Sequence, residues 1–280
     1  MRVSRKMNLV FRFKAETIVQ ARQLDREFYF KEQSYTTEKF VFPYISVLMP
    51  ITSDIKIAEI GCGEGGNLKP FLERGCSVVG IDLSDCKISN AVKFFENHPL
   101  KRNLKLINKD IYEIQEDTNL KFDLIIMRDT LEHIHNQYLF LEHLKKFLKP
   151  NGKVFIAFPA WRMPFGGHQQ MCHNKFLSHL PYYHIFPIVL YRLILKLFCE
   201  SQRSIDGLME IKETRISIQK FQRIVRKRNY KIEKQTNYLI NPNYEVKFKL
   251  KPRKLPIVLN IPYFRDFFVT TLYSVISLKV

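Results

Sequence analysis

One stretch constrains this chain more than any other: Ile57-Ala58-Glu59-Ile60-Gly61-Cys62-Gly63-Glu64-Gly65-Gly66, a short apolar run holding one acid that breaks into four glycines. The pattern predicts a buried strand turning sharply into a helix, where glycine lets a ligand lie against the backbone. Gly61-x-Gly63-x-x-Gly66 also fits the dinucleotide fingerprint, a short pattern that recurs by chance. Glu59 is more informative. Placed two residues before the first glycine, a carboxylate repels a pyrophosphate and favours a ligand bearing an ammonium or sulfonium charge.

From Ile55 onward short apolar runs alternate with helical segments, the pattern of a parallel sheet with crossover helices. Predicted strands are Lys56–Ile60, Ser77–Ile81, Lys105–Asn108, Phe122–Met127 and Lys153–Phe158. Helices are expected over 67–73, from Ser84 to about Asn97 with Ile88, Ala91, Val92 and Phe95 on one face, and over 136–148 with Leu139, Phe140, Leu144 and Phe147 inward. In an open parallel sheet, ligands bind beyond the carboxyl ends of the strands. Those ends carry, in order, the glycine loop, Asp82, Asp110, and Arg128-Asp129. Asp82 follows Gly61 by 21 residues, the spacing at which an acid after the second strand accepts hydrogen bonds from both ribose hydroxyls, in NAD as in other adenosyl ligands. Asp110 and Ile111 suit an adenine edge, with Leu83 on the ring.

At Glu59-Ile60-Gly61-Cys62-Gly63-Glu64-Gly65 the chain resembles the class I S-adenosylmethionine-dependent methyltransferases, whose first motif runs acid-x-Gly-x-Gly-x-Gly. Leu131-Glu132-His133 and Leu148-Lys149-Pro150-Asn151-Gly152-Lys153 resemble runs of the small-molecule branch related to ubiquinone-biosynthesis enzymes. The resemblance covers roughly residues 55–160. It implies a Rossmann-like α/β fold: a seven-stranded, mostly parallel sheet with helices on both faces, a helical N-terminal lead-in and an insertion after strand five. It implies S-adenosylmethionine as cofactor. Glu59, Gly61, Cys62, Gly63 and Gly65 would surround the methionine part, Asp82 and Leu83 the ribose and adenine, and Asp110 and Ile111 the adenine edge. Arg128 would offer its backbone carbonyl to the ammonium, His133 would pack beside the cofactor, and Tyr35 with Thr36 and Thr37 would close over it.

The expected organisation is a lead-in over 1–52, a cofactor-binding core over 53–160, an insertion or lid over 161–210, completion of the sheet over 211–251 and a tail over 252–280. The insertion holds Gly166-Gly167-His168, Cys172-His173, His179 and His184. Their spacing does not match a compact metal site and no carboxylates join them, so no metal is assigned. Gly166-Gly167 is read as permitting an unusual backbone path that points His168 into the pocket. His168 and His133 are the candidate bases if the acceptor is a hydroxyl. Ile185–Phe198 is apolar apart from Arg192 and Lys196, which share a helix face, and suits packing on the domain or a dimer partner, an anionic lipid surface, or the lining of a substrate tunnel. Ile216 to about Arg228 is expected as a helix with Phe221, Ile224 and Val225 inward. Tyr230–Ile240 and Tyr244–Leu250 are expected as the two strands that complete the sheet, with 252–280 packed on the surface or on a partner.

The formal charge of +18 calls for an anionic partner or surface, and Lys212–Lys254 holds 14 Lys or Arg against 3 Asp or Glu. Five cysteines without a C-x-x-C pair indicate neither a disulfide framework nor a zinc ribbon. The basic start, Met1–Lys6, leads into no signal-peptide core, so a cytoplasmic protein is expected, with contact at the inner face of a membrane left open. The leading reading is O-methylation of a small-molecule, glycan or lipid-linked acceptor. Two alternatives stay open: an RNA methyltransferase using the basic C-terminal face, and a catalytically silent S-adenosylmethionine-binding interaction protein.

Overall fold

A computed structural model describes residues 25–115 and 120–279. The reading of Met1–Lys6 and the first half of the lead-in lie outside the described residues. Five strands run parallel: β1 (Lys56–Ile60), β2 (Ser77–Asp82), β3 (Leu104–Asn108), β4 (Phe122–Arg128) and β5 (Leu148–Phe158). They are joined by β6 (Tyr230–Ile240), β7 (Arg253–Lys254) and β8 (Thr271–Leu278) in one sheet ordered β3-β2-β1-β4-β5-β8-β6-β7. β8 is antiparallel to both β5 and β6. The strand order reverses beside β1, so the crevice between the β1 and β4 loops is the topological switch point where such sheets take ligands.

The central strands are buried on both faces, as a parallel sheet covered by helices requires. Along β4, Ile125 and Met127 face one core, while Leu124 and Ile126 face the other. The first core is closed by α5 (Gln137–Leu144) and α9 (Ile218–Lys227), through Phe140, Leu144, Phe221, Ile224 and Val225. The second is closed by the lead-in, α1 (Arg26–Thr36) and α2 (Phe42–Ser46), and by α3 (Lys69–Leu72) and α4 (Asp85–Phe94), through Phe30, Ile45, Phe71 and Ile88. α4 begins on Ser84, whose hydroxyl accepts from the Lys87 amide, a serine N-cap. Val92 and Leu139, expected to face inward, are exposed; each helix buries a narrower stripe than its apolar residues suggest.

Three sequence expectations are corrected at the C-terminal half. Tyr244–Leu250 is not a strand: α10 (Tyr244–Phe248) occupies it, with the Tyr244 and Phe248 rings one helical turn apart in edge contact at 5.1 Å. The strand that completes the sheet is β8, inside the segment expected to be a surface tail. Leu272 and Ile276 enter one core, Tyr273 and Val275 the other. Thr-Leu-Tyr-Ser-Val-Ile-Ser-Leu carries apolar residues on both faces, as an interior strand needs, whereas Lys247 and Lys249 cannot be buried unpaired. Third, the sheet has eight strands, because the two-residue β7 pairs with the edge of β6. The insertion after β5 forms α6 (Lys175–His179), α7 (Ile188–Leu197) and α8 (Gln202–Thr214) around a small core of its own that includes Tyr183, Tyr191, Leu195 and Leu208.

Candidate functional site

The glycine loop is held open by its neighbours on both sides. Gly61 donates its amide to the Ile81 carbonyl at 2.8 Å and sits at φ 73°, a region side chains rarely adopt. A Cβ there would also run into Thr130, which the β4 end places against the loop, with Oγ1 3.3 Å from the Ile60 carbonyl. Gly66 is needed for a different reason: a Cβ would strike the Phe30 carbonyl of α1. The lead-in therefore lies directly on the loop. It is fixed there by Arg26, whose Nε donates to Glu64 Oε1 at 2.8 Å. Near Gly63 the space beside the backbone is open, the nearest atom to an added Cβ being Lys87 Cδ at 3.9 Å.

At the base of the loop a buried polar cluster has formed. Glu59, wholly buried, accepts from Asn67 Nδ2 at 2.6 Å through Oε1, while its Oε2 has no hydrogen-bond partner. Burial pushes its pKa up to about 8, against the pull of the Asn67 hydrogen bond and the Arg128 charge. Asn67 Oδ1 in turn accepts from Arg128 Nη1 and from Thr37 Oγ1, both at 2.8 Å. Thr37 reaches it because the chain widens into π-type turns over Thr37–Val41, a local irregularity common at functional sites. An acid and a guanidinium thus lie side by side within one buried network, a donor set that fits the ammonium and carboxylate ends of a free amino acid.

Each sequence-predicted residue has a definite place. Cys62 is buried with its thiol pKa raised by burial, so it packs and does not react. The Asp82 carboxylate accepts from the Gly63 and Ser84 amides, both at 2.8 Å, one on each oxygen. This fixes it at the crevice edge with lone pairs left over for hydroxyls. Leu83 beside it is exposed, Ile111 is buried, and Asp110 caps the turn after β3 by accepting from the Tyr112 amide. Arg128 contributes its guanidinium to the cluster; its carbonyl accepts from Thr130 Oγ1 at 3.1 Å. Tyr35 points elsewhere, its hydroxyl donating to Glu245 of α10 at 2.7 Å. Thr36 and Thr37, one and two residues on, are the buried ones, and Thr36 donates to Asn243 at 3.2 Å. Asn67 was not legible as a site residue: nothing in its spacing marks it.

On the open side of the crevice the two candidate bases meet. The His133 and His168 rings stand edge to face with centroids 5.3 Å apart. Burial lowers their pKa values to about 3 and about 4, so both are neutral at neutral pH. His168 itself takes the left-handed backbone, φ 59°. Gly166 and Gly167 lie outside the left-handed region and allow close approach, to the Trp161 carbonyl and the His184 ring. The other insertion histidines are engaged separately. His184 Nε2 lies 2.8 Å from the Trp161 carbonyl, His173 lies 3.4 Å from Glu200, and His179 bonds within its own helix.

Comparison with known proteins identifies the family and the fold. A family model described as a methyltransferase domain matches residues 34–188, more than half of the chain. The chain is 35% identical over 104 residues to a protein from Pelagibacter ubique named ubiquinone biosynthesis O-methyltransferase, covering 37% of this chain and 42% of that protein. It thus spans about two-fifths of the length of such relatives. Among solved structures, an S-adenosylmethionine-dependent methyltransferase from Clostridium acetobutylicum matches with a TM-score of 0.54 at 12% identity, over 88% of this chain and 92% of that one. The plantazolicin methyltransferase BpumL, solved with a triazolic analogue and SAH, matches with a TM-score of 0.53 at 14% identity, over 91% and 87% of the two chains. At such identities the likeness establishes the fold.

Proposed function

The chain belongs to the methyltransferase-domain family, as a class I S-adenosylmethionine-dependent member, and from that premise we propose that it transfers a methyl group to a hydroxyl of a small-molecule, glycan or lipid-linked acceptor. The observation that carries this reading is the buried cluster under the glycine loop. Glu59 Oε2, sealed from water and without a partner, is a place for an ammonium; Arg128 and Thr37 are donors for a carboxylate. Asp82 is preset for ribose hydroxyls. S-adenosylmethionine supplies, when bound, a methyl group already activated by the sulfonium charge.

What the residues contribute is alignment and exclusion of water, which are worth most for a displacement whose reactants are held in line. α1 and the insertion cover the crevice from two sides. His133 and His168 are unprotonated at neutral pH, but the low pKa values that burial gives them make them weak bases, so alignment of the acceptor carries the reaction more than proton removal does. Calorimetry tests the site: S-adenosylhomocysteine should bind, and Asp82→Ala or Gly63→Val should abolish binding. Equal affinity in all three proteins would sink the assignment.

α7 favours a lipid-linked acceptor or a membrane-held one. It buries Tyr191 and Leu195 but leaves Val189 77% and Leu197 70% exposed, with Ile188 and Leu193 beside them. Arg192 and Lys196 stand on the same outer surface, an arrangement suited to an anionic lipid interface. Among the described residues no helix is long and apolar enough to cross a membrane. Liposomes carrying anionic lipid should retain the protein and release a double variant with Arg192→Glu and Lys196→Glu; equal retention removes the membrane reading.

A further inference from the structure

The loop that leads from β7 to β8 presents a surface that neither the cofactor crevice nor the insertion uses. Ile257 is 88% and Val258 73% exposed, and Ile261, Tyr263 and Phe264 are exposed beside them. Just before them Lys249, Lys251, Arg253 and Lys254 face solvent, and no Asp or Glu occurs from Val246 to Phe264. We propose that this loop is a docking surface for an anionic lipid bilayer, its apolar tip entering the headgroup boundary and the preceding cations lying on lipid phosphates.

Three observations carry it. The first is inversion. The polar side chains of the loop bond back onto the fold: Asn260 accepts from Asn237 Nδ2 at 2.8 Å, Arg265 donates to Gln222 of α9 at 3.0 Å, and Asp266 is wholly buried. The apolar side chains are the ones turned to water, and an apolar patch of that kind marks an interaction surface. The second is charge. Clustered Lys and Arg beside an apolar tip match an anionic lipid surface. Residues 1–24 hold six Lys or Arg against one acid, so that segment is repelled by this face and is a poor cover for it. The third is position. Leu272 pairs with Phe158 at the carboxyl end of β5, so the loop enters β8 at the edge of the sheet where the crevice opens. Tyr182 of the insertion donates to the Phe267 carbonyl at 3.1 Å, and the Arg162 guanidinium stands 5.9 Å from the Phe267 ring, which ties the loop to the insertion.

The loop is also preset in shape. Pro256 and Pro262 fix their own backbone angles, and the Leu255 amide donates to the Asn237 carbonyl at 2.8 Å, so little ordering is left to be done on docking. A bilayer on this surface lies at the crevice end of the sheet, where a lipid-linked acceptor reaches the methyl donor without leaving the membrane. The inference rests on the methyl-transfer reading for the purpose of docking, not for the docking itself. It is also independent of α7, whose cations belong to a different segment.

The test is sedimentation of the full chain with vesicles of phosphatidylcholine and phosphatidylglycerol in equal parts, beside vesicles of phosphatidylcholine alone. The mixed vesicles should bind the protein more tightly. The double variant Ile257→Asp, Val258→Asp should weaken that binding about tenfold, with its thermal midpoint and its affinity for S-adenosylhomocysteine unchanged. Val258→Trp should gain an emission that brominated acyl chains quench, whereas Trp161, the one native tryptophan and a buried one, should not respond. Undiminished binding of the double variant overturns the proposal, and so does a new emission that brominated lipid leaves untouched. A lipid-free dimer that the double variant breaks apart, in a protein that binds no vesicle, assigns the surface to a second copy and overturns it too. Loss of binding in the loop variant with retention in the Arg192→Glu, Lys196→Glu variant upholds the loop and counts against α7 alone. Vesicle binding without S-adenosylhomocysteine binding upholds the surface and counts against the cofactor reading alone.

Discussion

Asn67 donates its side-chain amide to Glu59 at 2.6 Å, eight residues back along the chain and underneath the glycine loop they bracket. Because the other Glu59 oxygen is unpartnered and the group is wholly buried, its pKa rises to about 8, and the carboxyl holds its proton in the ligand-free protein at pH 7. A raised acid contributes stability that is present at low pH and lost as pH climbs through the folded value, here between about 4.5 and 8. An ammonium placed against Glu59 reverses this by favouring the ionised form. Binding of S-adenosylhomocysteine at pH 7 should therefore release close to one proton, read by calorimetry in phosphate and in Tris, and affinity should rise with pH up to about 8. No release, or release unchanged in Glu59→Gln, would show that the ammonium lies elsewhere.

Arg128 sits in the same network, its guanidinium on Asn67 and Thr37. Lysine cannot reproduce a planar fork of donors. Arg128→Lys should weaken S-adenosylhomocysteine about tenfold, about 1.4 kcal/mol, while 5′-methylthioadenosine, which lacks the amino-acid end, binds as before. An equal loss for both ligands would place Arg128 in the fold rather than in the site.

Gly66 is pressed against the Phe30 carbonyl, and Gly207 in α8 has nothing within 4 Å. Gly66→Ala should push α1 off the loop, lower stability by about 1–3 kcal/mol and speed tryptic cleavage after Lys31. Gly207→Ala should instead raise stability by about 0.5–1 kcal/mol. Thermal melts of the two variants moving in the same direction would contradict the packing described.

β8 binds the two halves of the sheet together. Ile276→Ala, at a fully buried position, should lower stability by about 2–5 kcal/mol. A chain ending at residue 270 should fail to give cooperative unfolding, since the edges of β5 and β6 would be left unpaired. A cooperative melt of that truncation would mean the strand is dispensable.

His184 is buried between Gln169 and the Trp161 carbonyl, and burial lowers its pKa to about 4, against the Trp161 hydrogen bond. The unfolded chain then binds the proton that the folded chain refuses, so stability falls as pH drops from about 6.5 toward 4. Denaturant midpoints at pH 7 and pH 5, compared between wild type and His184→Gln, should show a steeper acid loss in the wild type; parallel losses would remove His184 as the cause.

The sequence alone determined the parallel half of the sheet and the place of its ligand crevice. Strand runs, the acid-and-glycine turn and aspartates at successive strand ends are local or evenly spaced signals, set by burial on two faces and by backbone sterics within a few residues. Tertiary structure decided what those signals could not reach. Tyr244–Leu250 and Thr271–Leu278 both contain apolar residues, and only the vacant slot between β5 and β6 selects the second as the strand. Tyr35 and Thr37 are two residues apart, and only the seating of α1 on Gly66 and the wider turns after it direct Thr37 inward and Tyr35 to Glu245. Asn67 joining Glu59 to Arg128, and His168 meeting Glu132 and His133, depend on contacts between segments far apart in sequence, and no spacing along the chain records them.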